Sequence, residues 1–269
     1  MEKPKIIFFG NGPLADSVKK VLEPSCEILF HARTKPELET VKTLKHEHPD
    51  AFGVLASFGI MLKSDVLDLF KPVGILNIHP SLLPLYRGAS PIESALLNGD
   101  SSFSVSVMKL VKAMDAGPIY FQETLENLPL EKSIIYDSLA TAGASWLIKN
   151  LLNLPTPVPQ DDSKATFTEK FDKSMSFLSP EIDSAEKTFR KIVAFQGFPK
   201  PKYNFFDQEV IILSAHVSKT CSARELGLKC ADGLFVIIDR LQPASRKPMD
   251  SASFLNGLNS TSNGSRQAK

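Results

Sequence analysis

Short apolar runs alternate with amphipathic stretches through the first 150 or so residues. Lys5-Ile6-Ile7-Phe8-Phe9 reads as a buried strand, and the stretch after it, to about Leu22, as a helix. Glu27–His31 and Ala51–Ser57 repeat the strand signal. Helices are expected over Pro36–Glu47 and from the loop after Ser57 to near Phe70. Val73, Ile75, Leu76 and Ile78 form the apolar part of a fourth strand, and Phe103–Leu110 and Ile119–Leu125 give two more. In Ser133–Asn153, Ile134, Leu139, Trp146, Leu147 and Leu151 make an apolar stripe on one long helix. That spacing marks Trp146 as a packing residue.

Strands that alternate with helices imply crossover connections and an α/β fold built on an open, Rossmann-like sheet. Beyond the long helix the pattern changes. Leu154-Pro155-Thr156-Pro157-Val158-Pro159 reads as an extended linker, because alternating prolines favour polyproline geometry. A helix around Ser184–Phe195 follows. From Tyr203 the short runs Glu209–Leu213 and Leu234–Ile238 read as strands of a small β-barrel. The expected division is a Rossmann-like domain over 1–153, a linker and helix over 154–202, an OB-like barrel over 203–255, and a Ser/Asn/Gly-rich disordered tail over 256–269.

Composition narrows the function classes. With 43% hydrophobic and 23% charged residues the chain has the makeup of a globular protein rather than of a fibre or a disordered segment. No apolar run approaches the ~18 residues of a membrane span. Ile6–Phe9 is too short for a signal-peptide core, so export is not expected. The three cysteines, Cys26, Cys221 and Cys230, lack metal-ligand spacing and cannot all pair, which fits a reducing cytoplasm with buried thiols. Charge is uneven: from Phe189 onward there are 12 Lys+Arg against 6 Asp+Glu, and before it 19 against 24. A basic carboxyl-terminal third on an acidic body is the electrostatic mark of a nucleic-acid partner.

The candidate chemistry sits in the fourth strand. Asn77 and His79 are two apart, so their side chains leave the same face of an extended backbone. Pro80 and Pro84 then end the strand, holding an amide and an imidazole at its carboxyl end, where open α/β sheets bind ligands. A carboxamide can donate to an oxygen that gains charge, and an imidazole can move a proton near neutral pH. Met114-Asp115-Ala116-Gly117-Pro118 lies 36 residues beyond His79 and places a carboxylate in a tight Gly/Pro turn between two strands, able to fold back beside that pair. No histidine has ligand spacing beside Cys or a carboxylate, so no metal is expected. A rival signal is Gly10-Asn11-Gly12-Pro13-Leu14-Ala15, which fits a dinucleotide fingerprint and is followed at Arg33 by a cation suited to a 2′-phosphate. Against it, Pro13 removes one of the N–H groups that such a turn offers a pyrophosphate.

Asn77-Ile78-His79-Pro80-Ser81-Leu82-Leu83-Pro84 together with Met114–Ile119 resembles the folate-dependent formyltransferases. Arg87–Ile92, Leu97–Asp100 and the closing Leu241–Met249 are similar to the branch of that family that acts on methionyl-tRNA. The resemblance implies transfer of the formyl group of 10-formyltetrahydrofolate to the amine of methionyl initiator tRNA by a monomer, with Asn77, His79 and Asp115 catalytic. It implies that Phe58, Gly59, Ile60 and Met61, with Ser81, Leu82, Leu83 and Pro84, hold the folate. It also points to Arg33, Arg87, Lys200, Lys202, Arg246 and Lys247 as tRNA contacts. One departure is the short His31–Lys35 connection, where the branch carries a longer basic loop. Formylation of another amine (a sugar nucleotide or glycinamide ribonucleotide), hydrolysis of the donor, and a tRNA-binding module with a dead site are the alternatives.

Overall fold

Ile6, Ile7, Phe8 and Phe9 are fully buried on both faces, which places strand β1 (Lys5–Gly10) inside a sheet. The computed structural model, which describes residues 2–264, shows a six-stranded sheet with β2 (Glu27–Ala32), β3 (Phe52–Ala56), β4 (Ile75–His79), β5 (Ser102–Lys109) and β6 (Ile119–Glu126). The spatial order is β2-β1-β3-β4-β5-β6. The first four strands in this order run parallel, while β5 and β6 are antiparallel additions beyond β4.

Helix α1 (Pro13–Leu22) begins with its proline at the first helical turn and buries Leu14, Ala15, Val18 and Leu22. Helix α4 (Pro91–Asn98) lies between β4 and β5 in the chain, and α5 (Lys132–Asn150) packs against α1 and the sheet. Its buried Ala140, Gly143 and Ala144 let it lie close, since a Cβ on Gly143 would come within 2.8 Å of Ile78 in β4. α2 (Leu38–Glu47) and the short α3 (Ser64–Leu67) belong to the other side, where Val41, Val66 and Phe70 pack with Ile7, Phe9 and Ile75. The same face of β4 that carries Ile75 therefore carries Asn77 and His79. Trp146 is half-buried and stacks on Phe121, with centroids 5.1 Å apart, as its helical spacing predicts.

The chain divides into one unit of residues 1–95 and 100–170 and a second of 96–99 and 171–269. The second contains α6 (Ala185–Ala194), capped by Ser184, and an antiparallel sheet of β7 (Lys202–Phe205), β8 (Gln208–Ser218), β10 (Phe235–Pro243) and β11 (Met249–Asp250), with β9 (Leu226–Lys229) paired to β10. Irregularities at Ile238/Arg240 and Arg240/Leu241 bend β10, and the sheet curls into a half-barrel around Val210, Ile212, Val236 and Leu241. The small-barrel expectation holds.

Two expectations change. Leu154–Pro159, read as an extended linker, is tied to the sheet: Val158 and Ile119 exchange N–H···O bonds of 2.8 Å in both directions, and beyond it Arg87 N–H donates to Thr166 O at 2.9 Å. The tail expected to be disordered from 256 instead continues a helix, α7 (Ser251–Gly264). Asp250 caps its start through a 2.6 Å bond from Ser253 N–H, and Phe254 is buried with the barrel core, two ties that composition does not report. Residues 265–269 of that expected tail lie outside the described residues.

Candidate active site

β4 delivers Asn77 and His79, both about 95% buried, to the carboxyl end of the parallel strands. The chain then turns through Ser81–Leu85, where Ser81 Oγ donates to Leu85 O at 2.7 Å. This turn is anchored to the sheet: Ser106 Oγ donates to Ser81 O at 2.6 Å, Leu83 N–H donates to Ser106 Oγ, and Gln122 Nε2 donates to Leu83 O. Its return brings Tyr86 O to 3.1 Å from His79 Nε2. A carbonyl only accepts, so Nε2 carries the hydrogen and Nδ1 is the nitrogen free to exchange a proton.

Asp115 closes the cluster from the β5–β6 turn. Its backbone is in the left-handed region at φ 48°, which aspartate tolerates better than most residues. Oδ1 lies 3.5 Å from Asn77 Nδ2 and 3.8 Å from His79 Nδ1, and Oδ2 accepts a 2.8 Å bond from Gly88 N–H. One carboxylate therefore faces both other groups while a backbone amide fixes its far oxygen. Gly88 takes φ 121°, and a Cβ there would sit 2.5 Å from Thr168 Oγ1. Gly117 is tighter still, because its Cβ would fall 1.7 Å from the backbone oxygen of Lys109. Gly117→Ala is expected to destabilise the fold by about 2 kcal/mol or more, since a backbone atom cannot yield as a side chain can. Denaturant unfolding measures this, and an unchanged midpoint would contradict the tightness of the turn.

A cavity of about 390 Å³ opens onto these groups. Phe58, Gly59, Ile60 and Met61 line it, together with Asn77, His79 and Asp115 and the run Leu110–Met114. That run was not singled out from sequence, although it is apolar-rich and leads into Asp115. Ser81–Pro84 are not among the residues lining this cavity. Ser81 and Leu83 are buried, and their bonds to Ser106 and Gln122 shape the turn behind His79.

The expected tRNA contacts separate. Arg87 is 4% exposed, and its guanidinium donates to Gln160 Oε1 and Asp162 Oδ1, so it is a buried structural group rather than a phosphate contact. Lys202 pairs with Glu209 at 2.7 Å. Arg33, Lys200, Arg246 and Lys247 are exposed. In the rival glycine-rich turn, His31 Nε2 holds Gly10 O at 3.0 Å, and Glu37 accepts from Arg33 N–H and Thr34 N–H. The backbone N–H groups of Arg33 and Thr34 are thus taken by Glu37, while the Arg33 side chain stays exposed. Burial lowers the basicity of His31, with Arg33 adding to the effect and the Gly10 bond opposing it.

A family model described as Formyl transferase matches residues 4–151. The methionyl-tRNA formyltransferase of Dictyoglomus thermophilum is 32% identical over 246 residues, covering 84% of this chain and 77% of that one. Among solved structures, the methionyl-tRNA formyltransferase from Clostridium thermocellum is similar with a TM-score of 0.61 at 19% identity, over 90% of this chain and 98% of that one. HypX from Aquifex aeolicus, in complex with tetrahydrofolic acid, gives 0.71 at 15% identity, over 95% of this chain and 47% of the HypX chain. At such identities the two structures establish a shared fold.

Proposed function

The chain belongs to the formyl transferase family, and from that premise we propose that it moves the formyl group of 10-formyltetrahydrofolate onto the α-amine of methionyl initiator tRNA. The observation that carries this reading is the meeting of Asn77, His79 and Asp115, from two separate segments, in the lining of one cavity.

The cavity suits the donor. Its volume falls in the range of small-molecule sites, and Phe58, Ile60, Met61 and Leu110 offer apolar walls to a flat ring. The reduced folate supplies an acyl carbon whose nitrogen can leave once protonated. Asn77 has two amide hydrogens, and the long contact to Asp115 uses one, leaving the other for the oxygen that gains charge as an amine attacks. His79, held by Tyr86 O, handles the proton at Nδ1, taking it from the amine side and returning it to the leaving nitrogen. Asp115, fixed by Gly88 N–H, is the counter-charge for the ring while it carries two protons.

Exposed Arg33, Lys200, Arg246 and Lys247 are proposed to meet tRNA phosphates, an interaction that should weaken as salt rises. Asn77→Ala should lower kcat by roughly a hundredfold, the cost of one oxyanion donor, with little change in KM for the acceptor. The function itself is tested by offering 10-formyltetrahydrofolate with charged initiator tRNA, elongator tRNA and free amino-sugars as competing acceptors. Label on initiator methionyl-tRNA is expected. Preferential labelling of a small amine, or formate release at the same rate without tRNA, would assign a different acceptor.

A further inference from the structure

The carboxylate of Asp115 is held by Gly88, but the backbone that carries it is held from elsewhere. Gln160, in the stretch whose prolines read as a linker, donates from Nε2 to Asp115 O at 2.8 Å and to Gly117 O at 2.7 Å. Its Oε1 accepts from Arg87 Nε at 3.1 Å and Nη2 at 2.7 Å. The orientation of this amide admits no alternative, because carbonyls only accept and a guanidinium only donates. Arg87 in turn precedes Gly88, and Arg87 O accepts from Thr168 N–H at 2.8 Å, so residues 158–168 brace both sides of the catalytic turn.

We infer that Gln160 is a positioning residue for this reaction: it spans the two carbonyls of the left-handed Asp115 turn and, kept in register by Arg87, sets where the Asp115 carboxylate stands between Asn77 and His79. A turn at φ 48° is an uncommon conformation for a non-glycine residue and persists where surrounding bonds over-determine it. Gln160 holds the backbone carbonyls of Asp115 and Gly117, so its effect on chemistry passes through Asp115. The inference rests on the catalytic role proposed for Asp115, and its test separates the two.

Gln160→Met removes both donors. Gln160→Glu keeps the shape and the Arg87 bonds but turns acceptors toward two carbonyls. In single-turnover formyl transfer from 10-formyltetrahydrofolate to charged methionyl initiator tRNA, each should slow the chemical step about tenfold to a hundredfold, the range set by sub-ångström to ångström misplacement, while KM stays near wild type. In an Asp115→Asn background the same substitutions should change the rate by less than about twofold, because residues acting through one group are not additive. If Gln160→Met fails to fold, Gln160→Glu carries the test alone. Wild-type rates in the Gln160 variants that fold, or equal losses with and without Asp115, overturn the inference while leaving the catalytic reading intact. A wild-type rate in Asp115→Asn alone overturns both.

Discussion

His79→Ala slows single-turnover formyl transfer by a factor on the order of 10³, the largest effect expected of any side chain in the site. The ring is 95% buried in the cavity lining, with Nε2 committed to Tyr86 O and Nδ1 facing Asp115. The fold should survive: the change leaves Tyr86 O beside the cavity, where water can satisfy it at a cost of about 1 kcal/mol. His79→Gln sharpens the test. Its amide can still donate toward Tyr86 O, yet it cannot exchange a proton, so it should be as slow as His79→Ala. A His79→Gln enzyme working at the wild-type rate would mean that the imidazole only fills space.

Asp115→Asn should lower the same rate nearly as far, again by about 10³-fold, with substrate binding little affected. The substitution preserves volume and leaves an oxygen for Gly88 N–H, so the 2.8 Å anchor can persist. What is lost is the negative charge 3.8 Å from His79 Nδ1 and the acceptor 3.5 Å from Asn77 Nδ2. The amide must also turn its NH2 group toward either the Gly88 N–H or the Asn77 NH2, and each choice opposes N–H to N–H. Asp115→Glu should rescue little. A longer side chain on a turn fixed by Gln160 and by the crowding at Gly117 pushes the carboxylate past its place. Matched unfolding curves for wild type and Asp115→Asn would show that the loss is chemical. A normal rate in Asp115→Asn would leave His79 without the partner assigned to it.

The pattern of apolar runs was enough to place every strand of the six-stranded sheet within about two residues: β1 and β3 are buried on both faces and read as near-continuous hydrophobic segments, and β4 opens on Ile75-Leu76 before its polar residues. Asn77 and His79 were legible for the same reason: an alternation of two on a strand that two prolines terminate. Asp115 was legible through Gly117 and Pro118, which mark its turn. What stayed hidden depends on distance along the chain. Arg87 resembles any surface arginine until Gln160 and Asp162, 73 and 75 residues away, are seen around it. Gln160 sits among prolines, whose local preference for extended backbone is the same whether that backbone is free or paired with β6. The helix after residue 250 was missed because its anchors, the Asp250 cap and Phe254, are tertiary facts in a segment of weak helix formers.

The proposal that three side chains address one acyl carbon is tested most directly by a crystal structure with a stable formyl-bearing folate analogue. Its formyl oxygen should lie about 3 Å from Asn77 Nδ2, with His79 Nδ1 and the Asp115 carboxylate on the same side of the carbon and the ring between Phe58 and the 110–114 run. An analogue seated elsewhere, or one bound in this cavity with its formyl group turned away from all three, would contradict the account.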